Sequence, residues 1–382
     1  MAKKKVETKE AVTMQNNFDK ISGVVMAMDK MYGAGMFKTG DNIPKIYKIP
    51  FGEPMLDYVY TGGTPIGRFT ELLGEPHAGK TRNGLKAMAS FQKYCFNCHT
   101  PFALTAKWEM KNGQPSLKSC KCSSCDEPTT KIQAMVDVEG TSDPDFLAKM
   151  GVDTNGVIYI RPDRPSHTVD IIDTFLRQPN IGLILLDSIG SMGSDREVDE
   201  KMEDNKMNQN PVFFNRALRK WQMALNKNTN ETGMENGTTM IVVNQSYQTL
   251  SMYSTEVAQG GRGLRHGKAM SIKHSIGEKN KDANTKEIYG VHIRCTNEKN
   301  KTGMPYRRGE YYLNLDPNDP YLDYCATNIN LQYVELAIKF NVIEQRGGWF
   351  YYGDEKWQGK ANLIDGVTPE IRAEVDAKIY TL

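Results

Sequence analysis

The sequence predicts an open α/β protein, built on a central, mostly parallel β-sheet with helices on its faces. Three observations predict it. First, the strand-like run Arg68-Phe69-Thr70-Glu71-Leu72-Leu73 feeds straight into Gly74-Glu75-Pro76-His77-Ala78-Gly79-Lys80-Thr81, and Asn83–Phe91 follows with helical apolar spacing. Second, the apolar-rich run Ile132–Val138 and the aliphatic run Ile181–Leu186 end in carboxylates, Glu139 and Asp187. Third, Thr239–Val243 is another such run and ends in Asn244-Gln245. Continuous aliphatic runs suit parallel strands buried on both faces, and polar residues at their carboxyl ends sit where open α/β sheets bind ligands.

Composition sets the frame. The chain has 382 residues, 39% hydrophobic and 25% charged, so it can bury a substantial core. Its 48 Lys and Arg against 46 Asp and Glu leave a formal net charge of +2, and any contact with nucleic acid must come from local charge. No apolar run approaches membrane-spanning length, and no apolar signal core follows Met1-Ala2-Lys3-Lys4-Lys5. The expected location is cytoplasmic.

In chain order, residues 1–13 are polar and Lys/Glu-rich. Phe18, Ile21, Val24, Val25, Met28 and Met31 have the spacing of a helix ending near Gly33, and Ile46–Pro50 reads as a strand. This segment either packs on its own domain or reaches a neighbouring subunit. The glycine-rich stretch 74–81 fits G-x-x-x-x-G-K-[ST]. Its glycines let backbone N–H groups wrap a phosphate, Lys80 reaches the β/γ-phosphates and the Thr81 hydroxyl ligates Mg²⁺. A nucleoside triphosphate is the expected ligand.

Five of the seven cysteines then fall within residues 95–125. Cys95 and Cys98 form one C-x-x-C knuckle and Cys122 and Cys125 another, which suits a closed, structural zinc site on a small ribbon. Cys120 competes with Cys122, and His99 is a weaker candidate. Lys107, Lys111, Lys118 and Lys121 on this module are either a solvated face or a contact for nucleic acid or a partner. Beyond it, Glu139 is a candidate to activate the attacking water, and Asp187-Ser188 completes a Walker-B pattern whose carboxylate supports Mg²⁺.

Residues 194–210 are charged and read as a loop; Phe213, Phe214, Ala217, Leu218, Trp221 and Leu225 then mark one face of a helix. The segment 246–263, with Tyr247, Tyr253 and Gly260-Gly261-Arg262-Gly263, cannot be core. From 262 to 281 six Lys and Arg stand against Glu278 alone. A loop with tyrosines followed by basic residues has the ingredients for tracking single-stranded nucleic acid; the alternative is an exposed basic surface. Strands follow at 290–294 and 310–313, Asp316–Pro320 reads as a linker, Leu331–Phe340 as a helix and Gly348–Tyr352 as a strand. Lys299-Asn300-Lys301 belongs to an edge or loop.

As a set these stretches resemble the RecA family of homologous-recombination ATPases from about residue 18 onward, except for the cysteine insertion. The resemblance rests on Leu56-Asp57, Gly62–Arg68, the phosphate loop, Asp137-Val138-Glu139 with Asp143-Pro144, and Leu185–Ser188. Val243-Asn244-Gln245, Gly260-Gly261, Lys299-Asn300-Lys301, Gly348–Tyr351 and Gln358–Asn362 continue it in family order. It implies a RecA-like P-loop ATPase core at 51–316 interrupted by a zinc ribbon at 95–128. An N-terminal oligomerisation segment at 1–50, whose helix and strand dock on the next protomer, and a small α/β domain at 317–382 flank that core.

The implied activity is DNA-dependent ATP hydrolysis by a helical filament on single-stranded DNA, which pairs it with homologous duplex DNA; loader proteins are further possible partners. Glu139 becomes the hydrolytic base and Gln245 the γ-phosphate sensor, with Lys80 and, across the subunit boundary, Lys299 and Lys301 completing the catalytic set. Residues 74–82, including Arg82, together with Asp143, Phe146, Asp187 and Ser188, become the nucleotide contacts. Residues near 194–210 and 246–262 match two DNA loops, which makes Arg196, Tyr247, Tyr253, Gly260, Gly261, Arg262 and Arg265 the DNA candidates. The cysteine module departs from the usual bacterial pattern, and such a variant resembles a phage-encoded recombinase; the implied setting is the cytoplasm of a bacterial or phage-infected cell. Two rivals stand beside this reading: a hexameric helicase or motor of the same fold, and a mediator that uses nucleotide only as an assembly switch.

Overall fold

A computed structural model describes residues 19–33, 37, 43–193, 195, 210–248, 256–258, 264 and 266–381. The aliphatic runs become β3 (Phe69–Gly74), β6 (Ile132–Asp137), β7 (Val157–Ile160), β8 (Ile181–Asp187) and β9 (Thr239–Gln248). They lie parallel in one nine-stranded sheet that also holds β11 (Met270–Lys281), β12 (Ile288–Asn300) and β13 (Arg308–Asn314), in the order β13-β12-β11-β3-β9-β8-β6-β7 with β10 (Glu256–Ala258) paired antiparallel to β9. Strand alternation sorts the side chains between two apolar layers. Leu183, Leu185, Ile241 and Val243 enter the layer under α3 (Lys80–Gln92). Ile184, Leu186, Met240 and Val242 enter the layer under α5 (Pro165–Leu176) and α6 (Asn210–Thr232).

The basic stretch after residue 262 requires a correction. Its second half is β11 (Met270–Lys281), an inner strand of the sheet, parallel to β3 from Met270↔Thr70 to His274↔Gly74. Met270, Ile272 and His274 alternate with Ser271 and Lys273, a period-2 pattern that the lysine count obscured. β12 (Ile288–Asn300) and β13 (Arg308–Asn314) close this side antiparallel. Part of the segment expected outside the core also belongs to the sheet, since β9 runs on to Gln248 and β10 folds back on it.

At the N-terminus α1 spans 19–32 and leaves Ile21, Val24 and Met31 exposed. Within the chain, the strand expected at 46–50 appears as β1 (Lys48–Ile49), which lies antiparallel to β2 (Thr64–Pro65) and buries Ile49. Gly63 allows this approach, because a Cβ there would come within 2.2 Å of the Ile49 carbonyl oxygen. The short helix α2 (Pro54–Val59) then receives the C-terminal region. That region runs through α7 (Ile329–Lys339, capped by Asn328), the three-stranded sheet β14 (Glu344–Arg346), β15 (Trp349–Tyr352) and β16 (Glu355–Gln358), then α8 (Lys360–Asp365) and α9 (Pro369–Tyr380). Val334, Leu336, Ile371 and Val375 share one apolar cluster with Leu56 and Val59, and Met55 N donates to Gln332 Oε1 at 3.0 Å.

Between α3 and β6 the chain leaves the sheet as the hairpin β4 (Leu104–Lys111) and β5 (Gln114–Cys122). Trp108 covers Gly156 beside β7, where a Cβ would come within 2.8 Å of its indole nitrogen. Among the described residues no helix is long and apolar enough to cross a membrane.

Candidate nucleotide site and metal centre

The phosphate loop is held between β3 and α3. Gly74 has φ +146°, and a Cβ there would lie 2.0 Å from the carbonyl oxygen of His274 on β11, so only glycine fits. Gly79, at φ +75°, precedes α3 and offers no side-chain cap, which leaves the first N–H groups of α3 free for an anion. Lys80 Nζ donates to the carbonyls of Gly74 (2.9 Å) and Glu75 (2.5 Å). Burial lowers its pKa, against the charges of Asp187, Glu139 and Glu75. Ala78 is buried, while Glu75, Pro76 and His77 are exposed at the rim.

The carboxyl ends of β6, β8 and β9 assemble the rest. Thr81 Oγ1 donates to Asp187 Oδ2 at 2.7 Å, so a hydroxyl and a carboxylate stand together as a hard cation requires. Burial, and then the charges of Glu139 and Asp137, push the Asp187 carboxyl up to about 6 against the hydrogen bond from Thr81. The donor set fits Mg²⁺. Glu139 is exposed, and its Oε1 accepts from Ser188 Oγ at 2.5 Å, Ser191 Oγ at 3.0 Å and Gln245 Nε2 at 3.4 Å. The base candidate and the sensor candidate therefore meet across three strands.

Sequence reasoning left Asp137 without a role. It accepts from Gly140 N (2.7 Å), Ser142 N (2.9 Å) and Tyr159 OH (2.8 Å), fixing the turn that carries Glu139. Burial opposes its ionisation, but the bonds from Ser142, Tyr159 and Gly140 prevail and hold the carboxyl below its ordinary value. Its position at the end of the strand run, two residues before Glu139, was the available signal.

Arg82 corrects an expectation. Its guanidinium points inward, to Glu53 (2.5 and 2.9 Å) and the Cys325 carbonyl (3.0 Å), and cannot face a nucleotide. Only its backbone N–H, in the first turn of α3, remains for phosphate. Asp143 is exposed and caps α4 (Pro144–Lys149) through Asp145 N at 2.9 Å; Phe146 is half-buried against the core.

Lys299 and Lys301 both donate to the His266 carbonyl, at 3.4 and 3.1 Å. Lys299 is paired with Ser271 whereas Gly74 is paired with His274, three residues further along β11. That is roughly 10 Å of strand, directed away from the chain's own phosphate loop. Burial, then the charges of Lys301 and Lys268, lower the Lys299 ammonium to about 8. Among the DNA candidates, Tyr247 lies in β9 opposite Val257. Arg196, Tyr253, Gly260, Gly261, Arg262 and Arg265 fall outside the described residues.

In the cysteine module the Sγ atoms of Cys95, Cys98, Cys122 and Cys125 all lie within 4.8 Å of one another. Cys95 and Cys125 are 3.7 Å apart, and Cys98 and Cys122 3.6 Å. Four thiolates around zinc at its usual bond length stand about 3.8 Å apart. The geometry fits, and it chooses Cys122 over Cys120. Cys122 lies opposite Leu104 at the knuckle end of the hairpin, while Cys120 lies opposite Ala106, further out.

Comparison with known proteins agrees with this architecture. The family described as the RecA N-terminal domain matches residues 115–316. The Protein RecA of Corynebacterium efficiens is 27% identical over 388 residues, covering 100% of this chain and 86% of its own. That of Kineococcus radiotolerans is 27% identical over 369 residues, covering 94% and 90%. That of Frankia casuarinae is 26% identical over 367 residues, covering 94% and 91%. These relatives favour neither the helicase nor the mediator reading. The chain belongs to the RecA family, the DNA-dependent ATPase recombinases.

Proposed function

We propose that this recombinase binds ATP at residues 74–82, forms filaments on single-stranded DNA and pairs the bound strand with a homologous duplex. The observation that carries the reading is the junction of Glu139, Ser188 and Gln245 at the mouth of the phosphate loop. The α3 N–H groups and Lys80 bind the phosphates, Lys80 exchanging its two loop carbonyls for phosphate oxygens. Thr81 and Asp187 are the residues to hold magnesium, which when bound neutralises phosphate charge. Glu139 accepts the proton of the attacking water. Gln245 touches that base and stands at the head of the segment leading to the second DNA loop, so it links nucleotide to DNA. Asp143 and Phe146 are assigned to the adenine side.

Lys299 and Lys301 face away from their own phosphate loop, which supports their acting on the neighbour's nucleotide. Cations supplied in this way stabilise transition-state charge and are worth roughly 10³–10⁵ in rate. The exposed apolar residues of α1 are assigned to the protomer contact, and the proposed units are 1–50, 51–316 with the ribbon at 95–128, and 317–382. Cys95, Cys98, Cys122 and Cys125 are assigned one structural zinc ion, which when bound cross-links the two knuckles.

A mixing experiment tests the site. Lys80→Ala and Lys301→Ala subunits should each lack DNA-stimulated hydrolysis, and Lys301→Ala should still bind ATP. Mixed filaments should regain activity, because one subunit offers an intact phosphate loop and the other intact lysines. Activity no greater than the sum of the separate variants rejects the assignment in trans.

A further inference from the structure

The strip Lys299-Asn300-Lys301 is held from two sides. At the end of β12 successive side chains leave on opposite faces. Lys299 and Lys301 both donate to the His266 carbonyl, whereas Asn300 Nδ2, between them, donates to Thr61 Oγ1 at 2.9 Å. The amide oxygen of Asn300 accepts from Thr302 N at 2.8 Å and from Thr302 Oγ1 at 2.9 Å, which fixes the turn just after Lys301. Lys48 Nζ, on β1, reaches the same threonine and donates to its carbonyl and to its Oγ1, each at 2.7 Å. The turn lies directly against this group: a Cβ at Gly303 would stand 2.6 Å from Thr61 Oγ1 and 3.0 Å from Lys48 Nζ.

Thr61 is an unexpected residue for its backbone. Its φ is +56°, a region that β-branched side chains rarely enter and that glycine takes without strain. Glycine, however, has no hydroxyl, and the buried Thr61 hydroxyl is the acceptor on which Lys48 and Asn300 meet. Strain held in this way marks a group that its surroundings keep in a fixed place. Burial, and then the charge of Arg307, lower the Lys48 ammonium to about 8, so the two Thr61 oxygens hold a cation that its setting disfavours.

We infer that Thr61, backed by Lys48, is the positioning residue of the Lys299 and Lys301 pair, fixing the strip through Asn300 so that both ammonium groups leave on the face away from the anchor. Each lysine ends in a flexible stem, so the place of its backbone decides which phosphate it reaches. A displacement of about 1 Å costs up to roughly 10²-fold in rate. The inference rests on the reading that the two lysines act on the neighbour's nucleotide. Lys48 belongs to the segment 1–50 assigned to the protomer contact, so the anchor joins that segment to the lysines.

The test uses full-length Thr61→Val, which keeps the branched shape and removes the hydroxyl. ATP affinity should match the parent, while DNA-stimulated hydrolysis should fall roughly 10- to 100-fold. Thr61→Ser should restore most of it. Mixed filaments separate positioning from a general loss of structure. Thr61→Val subunits keep a working phosphate loop, so Lys80→Ala subunits, which offer well-placed lysines, should raise activity above the sum of the two. Lys301→Ala subunits should not, because neither member of that mixture offers a complete pair. Parent-level hydrolysis in Thr61→Val, or equal rescue by both partners, overturns the inference. If Thr61→Val does not fold, Thr61→Gly, which relaxes the backbone and also lacks the hydroxyl, carries the test with the same outcomes. Lys80→Ala mixed with Lys301→Ala, measured in parallel, separates the two readings. No gain there removes the reading in trans and the inference with it. A gain there, with parent-level hydrolysis in Thr61→Val, overturns the inference alone.

Discussion

Around Lys80 the site residues gather where the carboxyl ends of parallel strands meet the start of α3, elements whose flanks are buried in two apolar layers. Around Cys98 the chain is a two-stranded hairpin in which Leu104 is the only buried strand residue. The first region needs no metal to keep its shape, because β3, β8 and β9 are held by ladder hydrogen bonds and by Leu72, Leu185 and Val243. The second has too little apolar area to offset its chain entropy, and its knuckles converge only where four sulfurs meet. A hydrolytic site on the sheet therefore tolerates an insertion between α3 and β6, provided that the insertion brings its own cross-link.

Removing the proposed zinc ion should separate the two regions most sharply. Structural zinc in small modules has an apparent binding free energy of roughly 10–16 kcal/mol, so its loss should leave residues 95–128 unfolded. Stripping with a chelator, or Cys98→Ser, should open the module to proteolysis and hydrogen exchange while ATP binding persists. ATP binding lost in step with zinc would show that the core depends on the module. The converse variant, Glu139→Gln, should reduce hydrolysis by about 10²–10⁴-fold, the range for loss of a general base. Its ATP affinity and zinc content should be unchanged, and hydrolysis at the parent rate would exclude Glu139 as the base.

The core has its own weak point at Asp57. Burial raises its carboxyl from 3.8 to about 7, and Glu53 adds to this, while Phe51 N, Gly52 N and Tyr380 OH oppose. The folded state thus favours the protonated form. The stability due to Asp57 is fully present below pH 3.8, is lost as pH rises to about 7 and is level above. Urea unfolding at stepped pH should show this decline, and Asp57→Asn should flatten it; an unchanged slope in the variant would place the titration elsewhere. The smallest effects come from glycines. Gly84→Ala puts a Cβ 2.8 Å from Leu185 Cδ1 and should cost about 1–3 kcal/mol of core stability, read by denaturant midpoint. Gly113→Ala, in open space at φ +74°, should cost about 1 kcal/mol within the hairpin and leave the core midpoint unmoved.

Much of the fold was legible because the signals were local. The phosphate loop shows itself in eight consecutive residues, the inner strands in short apolar-rich runs, and the candidate metal site in two knuckles. β11 was not legible: its apolar residues alternate with Ser271 and Lys273, and the lysine count outweighed the period. The inward turn of the Arg82 guanidinium was not legible either, because its partner Glu53 comes from a different element.

The sequence by itself singled out the candidates for chemistry: Lys80 and Thr81 for phosphate and magnesium, Glu139 and Asp187 at or just past strand ends, and cysteines spaced in pairs for a metal. These follow from spacing along the chain, which sets helix phase, strand face and ligand reach. Only the tertiary structure decided which of them meet. It chose Cys122 over Cys120, turned Arg82 into the protein, brought Gln245 onto Glu139 and buried Lys268 on Glu71. Each of these choices depends on contacts between segments far apart in sequence. Such contacts are settled by how apolar faces pack and how buried charges find partners, and no local pattern of residues encodes them.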